Sequence, residues 1–127
     1  MARPVKVHHI AILCLDPVRL AAFYREAFAL DQDTVHRHPD QSVRSVWLRD
    51  GSGTLFMFEH ASAAGQGAQG WHLVAFSVTP SERATLVQRL AGLGAPEESC
   101  TAYSSYFRDP EGNRVAISHH PDLPSAT

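Results

Sequence analysis

The sequence predicts an α+β fold built from two tandem βαβββ modules, and three observations predict it. Trp47-Leu-Arg-Asp-Gly-Ser-Gly-Thr-Leu-Phe-Met-Phe58 matches Tyr106-Phe-Arg-Asp-Pro-Glu-Gly-Asn-Arg-Val-Ala-Ile117 without a gap, at an offset of 59 (106 − 47). His9-Ile-Ala-Ile-Leu-Cys14 matches Leu73-Val-Ala-Phe-Ser-Val78 at an offset of 64 (73 − 9). Each of these two apolar, strand-length runs leads into a proline and then a pattern of helical period. A sequence that repeats itself in this way is one supersecondary unit used twice.

The elements follow in order. His8 to Leu15 is apolar and of strand length. Asp16 offers a helix N-cap and Pro17 a first helical residue, whose fixed φ and missing N–H suit that position. Leu20, Phe23, Tyr24, Ala27 and Phe28 then recur at helical spacing, with Arg19, Arg25 and Glu26 on the other side. Asp50-Gly-Ser-Gly53 reads as a turn between two antiparallel strands. In the second copy, Thr79-Pro-Ser-Glu82 has the form of a capping box, and Leu86, Leu90 and Leu93 form the buried stripe. Gly92 or Gly94 ends that helix. Asp109-Pro-Glu-Gly112 suits a type I turn, with proline second and glycine fourth. The modules run over about 5–60 and 70–119. Between them lies an uncharged, glycine-rich linker, 61–70, and a polar tail follows over 120–127.

Composition narrows the function. The 127 residues are 44% hydrophobic and 19% charged, enough to bury one real core. Eleven basic residues against 13 acidic ones give a net charge of −2 and no basic block, which argues against nucleic acid as a partner. No apolar run approaches the roughly 20 residues that cross a bilayer, and no membrane partner is expected. Arg3 and Lys6 lack the apolar run and cleavage site of a secretory signal. Two cysteines, Cys14 and Cys100, make no disulfide framework, so a reducing cytoplasm is the expected location. Cys14 reads as inert core and Cys100 as an unactivated thiol near a strand start.

The chain resembles the vicinal oxygen chelate superfamily, which holds glyoxalase I, fosfomycin-resistance proteins, extradiol dioxygenases and bleomycin-resistance proteins. The residues that carry the likeness are His9-Ile-Ala-Ile ahead of Asp16-Pro17, Phe23-Tyr24, Ala75-Phe-Ser-Val78 and Tyr106-Phe-Arg-Asp-Pro-Glu-Gly-Asn-Arg114, within residues 5 to 119. The resemblance implies the glyoxalase/bleomycin-resistance/dioxygenase fold: an open, cup-shaped mixed sheet with helices on its outer face and ligand or metal inside. It also implies a homodimer. Metal-dependent members carry ligands at the start of each module's first strand and in each module's last strand. Those positions fall here on His9 and its repeat mate Leu73, and on Met57 and its mate Ala116. Only His9 bears a side chain suited to Mg, Mn or Zn; leucine and alanine have no donor, and a thioether is soft.

Three readings remain open on these residues. The first is a metal-free binding protein that holds an aromatic or amphiphilic compound in the cup, lined by His9, Trp47, Met57, Glu59, Leu73, Tyr103, Tyr106, Ala116 and Ser118. The second is a metal-dependent lyase, isomerase or oxygenase that uses His9, His72 and Glu59 with Zn, Mn, Fe or Ni. It requires a β-bulge to re-aim His72, because a one-residue shift turns a strand side chain to the opposite face. The third is a metal-independent enzyme with His9 and Glu59 as acid and base.

The remaining histidines take plainer roles. His8 is expected to be a partly covered strand-end residue, sharing a face with Ile10, Ile12 and Cys14. His36 and His38 are expected at a strand edge, solvated or in a dimer contact; His60 opens the linker, and His119 and His120 precede the tail. Arg49 and Arg108, repeat mates, read as structural ion-pair partners, and Asp50 and Asp109 as turn residues.

Overall fold

The computed structural model describes residues 7–61 and 73–122. The chain divides into two compact units, Met1–Ala64 and Gly65–Thr127. Each unit has the order strand, helix, three strands.

In the first unit, β1 (His9–Cys14) leads into α1 (Pro17–Phe28), followed by β2 (Asp31–Arg37), β3 (Val43–Arg49) and β4 (Leu55–His60). The sheet order is β1-β4-β3-β2, with β1 parallel to β4 and the other pairs antiparallel. Asp16 caps α1: its carboxylate accepts from the Arg19 backbone N–H at 3.0 Å, and Pro17 opens the helix. The apolar face of α1 covers one side of the sheet. Leu20, Ala27, Leu48 and Phe58 are fully buried, and the Tyr24 ring lies 5.1 Å from Phe58. The alternation of β4 sends Phe56 and Phe58 to the helix side and Met57 and Glu59 to the other.

In the second unit, β5 (Val74–Ser77), α2 (Pro80–Gly92), β6 (Ser99–Cys100), β7 (Ser104–Arg108) and β8 (Arg114–Ser118) repeat the pattern, with sheet order β5-β8-β7-β6. The capping box is formed in full: Glu82 N–H donates to Thr79 Oγ1 at 3.2 Å, and Thr79 N–H donates back to Glu82 Oε1 at 2.8 Å. Leu90, Phe107, Val115 and Ile117 make the buried core. Leu86 and Leu93 of the expected stripe are only half-buried.

The two repeated turns are built alike. Gly53 and Gly112 donate to the carbonyls of Asp50 and Asp109 at 3.0 and 2.9 Å, both at positive φ (88° and 84°), where a side chain would be strained. Each aspartate carboxylate accepts two backbone N–H groups: Ser52 and Thr54 for Asp50, Glu111 and Asn113 for Asp109, all at 2.9 Å. Arg49 and Arg108 each reach the glycine carbonyl of their own turn, at 2.9 and 3.2 Å.

Most of the linker and the end of the tail, residues 62–70 and 123–127, lie outside the described residues, as does His72.

Candidate functional site

Each sheet has one side covered by its helix and one side turned away from it. In the first unit, the strand pairing aligns the uncovered side in rows. His9 is level with Leu55; Ala11, Met57, Trp47 and Thr34 form the next row; Leu13, Glu59, Ser45 and His36 form the third. In the second unit, Ala75, Ala116, Tyr106 and Ser99 make one row, and Ser77, Ser118 and Ser104 the next. Trp47 and Tyr106 therefore hold equivalent places on their own sheets, beside Met57 and Ala116 respectively. Glu59 and Ser118 are likewise equivalent.

The half-buried aromatics have defined neighbours. His36 packs on Trp47 with ring centroids 4.5 Å apart and planes tilted by 58°. Trp47 Nε1 and His36 Nε2 are both sealed from solvent, and neither has a hydrogen-bond partner. In the second unit the Arg114 guanidinium lies over the Tyr106 ring, 4.5 Å from its centroid. Tyr103 stands against His120 at 4.9 Å and His119 at 6.1 Å. Ser118 accepts from Ser104 Oγ at 2.8 Å.

His36 lies on the edge strand β2, as the sequence suggests, but it is not simply solvated. An edge position suggested solvent or a second chain, whereas the imidazole is half-buried against Trp47 within its own sheet. The reason is irregular pairing: register shifts between Gln32 and Thr34 and between His36 and Arg37 re-aim side chains along β2. His8 also departs from expectation. It is exposed, not partly covered, and its Nδ1 lies 3.1 Å from Nδ1 of the exposed His9. His60 closes β4 and faces His38 at 5.9 Å instead of opening the linker. Cys14 is buried, its thiol 3.5 Å from the Glu59 carbonyl, and Cys100 is exposed.

Two arginines beside these faces are engaged in ion pairs. Arg49 pairs with Asp33 at 2.9 Å and Arg108 with Glu98 at 2.9 Å. A hydrogen bond from Thr34, helped by Arg49, holds the Asp33 carboxyl below the usual range. The Arg108 guanidinium does the same for Glu98.

The donor set can be tested against a metal. Of the four positions that the resemblance gives to metal ligands, His9 carries an imidazole, Met57 a thioether, and Leu73 and Ala116 nothing that coordinates, so that set does not fit a divalent ion that wants nitrogen or oxygen ligands. Among the described residues, no three His, Cys, Asp or Glu side chains group closely enough to hold an ion.

Known structures share this architecture. Fosfomycin resistance protein FosX from Listeria monocytogenes matches with a TM-score of 0.73 at 16% identity, over 94% of this chain and 93% of that one. Lactoylglutathione lyase from Agrobacterium tumefaciens matches with a TM-score of 0.71 at 23% identity, over 94% and 96%. A glyoxylase/bleomycin resistance protein/dioxygenase domain from Frankia sp. EAN1pec matches with a TM-score of 0.74 at 17% identity, over 92% and 98%. A mutant of the Listeria FosX, in complex with Mn(II) and 1S,2S-dihydroxypropylphosphonic acid, matches with a TM-score of 0.74 at 17% identity, over 91% and 93%. No curated protein matches the sequence significantly. At these identities the structures show the fold alone, one shared by fosfomycin-resistance, glyoxalase and bleomycin-resistance/dioxygenase proteins. The tandem βαβββ units, the repeated turns and a sequence match to the Glyoxalase-like domain model over residues 9–118 all agree, and the chain belongs to the glyoxalase-like domain family.

Proposed function

We propose that this protein binds an aromatic or amphiphilic small molecule without a metal and without turning it over, in the manner of the bleomycin-resistance branch of the superfamily. The observation that carries the reading is the donor chemistry at the four ligand positions: His9, Met57, Leu73 and Ala116 supply one suitable ligand where a catalytic site needs about three. What stands beside those positions supports binding instead. Trp47 lies level with Met57, and Tyr106 with Ala116, so each uncovered face presents an aromatic ring next to a position that lacks its metal ligand. The ligand-contacting residues in this reading are His9, Trp47, Met57, Glu59, Leu73, Tyr103, Tyr106, Ala116 and Ser118. The working form is a cytoplasmic homodimer.

The Mn(II) complex of FosX favours a second reading, in which His9, His72 and Glu59 bind Zn, Mn, Fe or Ni and the protein is a lyase, isomerase or oxygenase. Register weighs against it. His9 is level with Leu55, and Glu59 lies four residues further along β4. At about 3.3 Å per residue that is roughly 13 Å. A metal bound at about 2 Å from each ligand bridges no such gap without a large lean of both side chains. The same separation weighs against His9 and Glu59 as an acid–base pair on one bond.

Elemental mass spectrometry of the extensively dialysed protein, before and after reloading with Zn, Mn, Fe and Ni, separates the readings. The proposal expects far less than one metal ion per chain in every case. Retention near one ion per chain, lost in His9→Ala, establishes the metal-dependent reading in its place.

A further inference from the structure

Trp47 Nε1 and His36 Nε2 are buried nitrogens without hydrogen-bond partners, and they sit on touching rings of one sheet face. Buried polar groups are nearly always hydrogen-bonded, so a pair of exceptions at one place marks donors that a ligand satisfies by parting the side chains that seal them. Phenylalanine at either position would fill similar space with no donor to satisfy. The chemistry of the occupant follows from the donors. An indole N–H can only donate, so whatever satisfies Trp47 must present an acceptor. His36 Nε2 donates in one tautomer and in the charged form, and then the two nitrogens ask for the same thing.

The surroundings describe the rest of the ligand. Met57 is level with Trp47 and offers a soft apolar surface; Thr34 and Ser45 flank the pair on β2 and β3. The nearby carboxylates are Asp33, already engaged by Thr34 and Arg49, and Glu59, two strands from His36 in its row. Two inter-strand steps put Glu59 about 9.6 Å from His36, and one step with two residues along the strand puts it about 8 Å from Trp47, outside direct contact with an anion at the pair. We propose that His36 and Trp47 are the polar anchor of this face, taking a carboxylate or conjugated carbonyl oxygen carried on a flat apolar body. The proposal rests on the small-molecule reading above and narrows its ligand class.

Uniformly 15N-labelled protein gives a direct test through its indole N–H resonances, the Trp47 signal being the one absent from Trp47→Phe. Three probes are titrated to tens of millimolar: benzoate, acetophenone and benzylamine. The expected result is a downfield movement of the Trp47 indole proton with benzoate or acetophenone, telling carboxylate from carbonyl, and binding of that probe at least about five-fold tighter than benzylamine. His36→Phe should weaken binding about five-fold. His36→Gln, which keeps an N–H at similar reach, should restore most of it. A stationary Trp47 signal at saturation overturns the proposal. So does equal binding of benzylamine, or an affinity unchanged in both Trp47→Phe and His36→Phe. Should Trp47→Phe not fold, Trp71→Phe assigns the same signal as the indole resonance that remains. If the probes move other amides of the face and leave the indole still, the anchor fails while the binding reading survives. If no probe moves any resonance, both fail.

Discussion

Arg83 shows how much one side chain can organise. Its five N–H groups meet five acceptors: Ser105 Oγ at 3.0 Å, His119 Nε2 at 3.0 Å, and the carbonyls of Thr101, Ala102 and Ser104 at 2.9, 3.1 and 2.8 Å. Since the guanidinium cannot accept, His119 must accept at Nε2 and carry its proton on Nδ1, which then donates to the Asp122 carbonyl at 2.5 Å. Ser105 and His119 are both buried, so removing Arg83 strands them. Arg83→Met should cost about 2–4 kcal/mol in urea unfolding, with Arg83→Lys recovering only part of it because a point charge cannot fill the planar fork. An unchanged midpoint for Arg83→Met would refute this. The capping box just before Arg83 is plain in the sequence because Thr79 and Glu82 serve each other locally. Arg83 is not, because its partners lie 18 to 36 residues away. The surroundings of His36 are hidden for a related reason: its neighbour Trp47 comes from the adjacent strand, in a short regular stretch bracketed by pairing irregularities.

At the level of elements, the repeated turn is the part most legible in the sequence. Asp-x-x-Gly carries its own geometry, since the aspartate accepts the turn's N–H groups and the glycine supplies the positive φ. Gly112→Ala should cost about 1 kcal/mol from its backbone conformation alone, as the space beside it is open. Asp109→Ala should cost more, about 2 kcal/mol, since it leaves the Glu111 and Asn113 N–H groups unmet beside a buried position. Thermal denaturation of both variants checks the ranking, and a larger loss in Gly112→Ala would reverse the argument. The same match of turns is why Trp47 with Tyr106, and Met57 with Ala116, are legible as equivalent positions in the sequence, whereas the cross-strand levels of Trp47 with Met57 and Tyr106 with Ala116 come from the structure. Sequence periodicity was weaker where strands are short or polar. β6 has two residues, and β2 reads Asp-Gln-Asp-Thr-Val-His-Arg, with no clean alternation.

Across the whole molecule, four exposed carboxylates share one bias. Asp33, Asp40, Glu82 and Glu98 are all held below their ordinary range by hydrogen bonds, from Thr34 and Arg49, from Ser42, from Thr79, and from Arg108 respectively. A carboxyl whose folded pKa is depressed contributes its stability in full above the unfolded value and loses it as pH falls through the folded one. The melting temperature should thus hold level from neutral pH to about pH 4.5 and decline below it. Arg49→Gln and Arg108→Gln should flatten that decline, since each removes the partner of one carboxylate. A melting temperature that rises on acidification to about pH 3.5 would contradict the assignment.

The identical spacing of the two turns has one more consequence, for engineering. Segments 47–58 and 106–117 have equal length, the same arginine–aspartate–glycine frame and the same phase of inward and outward side chains. They differ on both sides of the sheet: Trp47 and Met57 against Tyr106 and Ala116 on the side away from the helix, and Leu48, Phe56 and Phe58 against Phe107, Val115 and Ile117 in the core. These hairpins are modular cartridges. Exchanging only the residues that face away from the helix changes no loop length and leaves each core with its own side chains, so a panel of such exchanges offers a route to new ligand preferences.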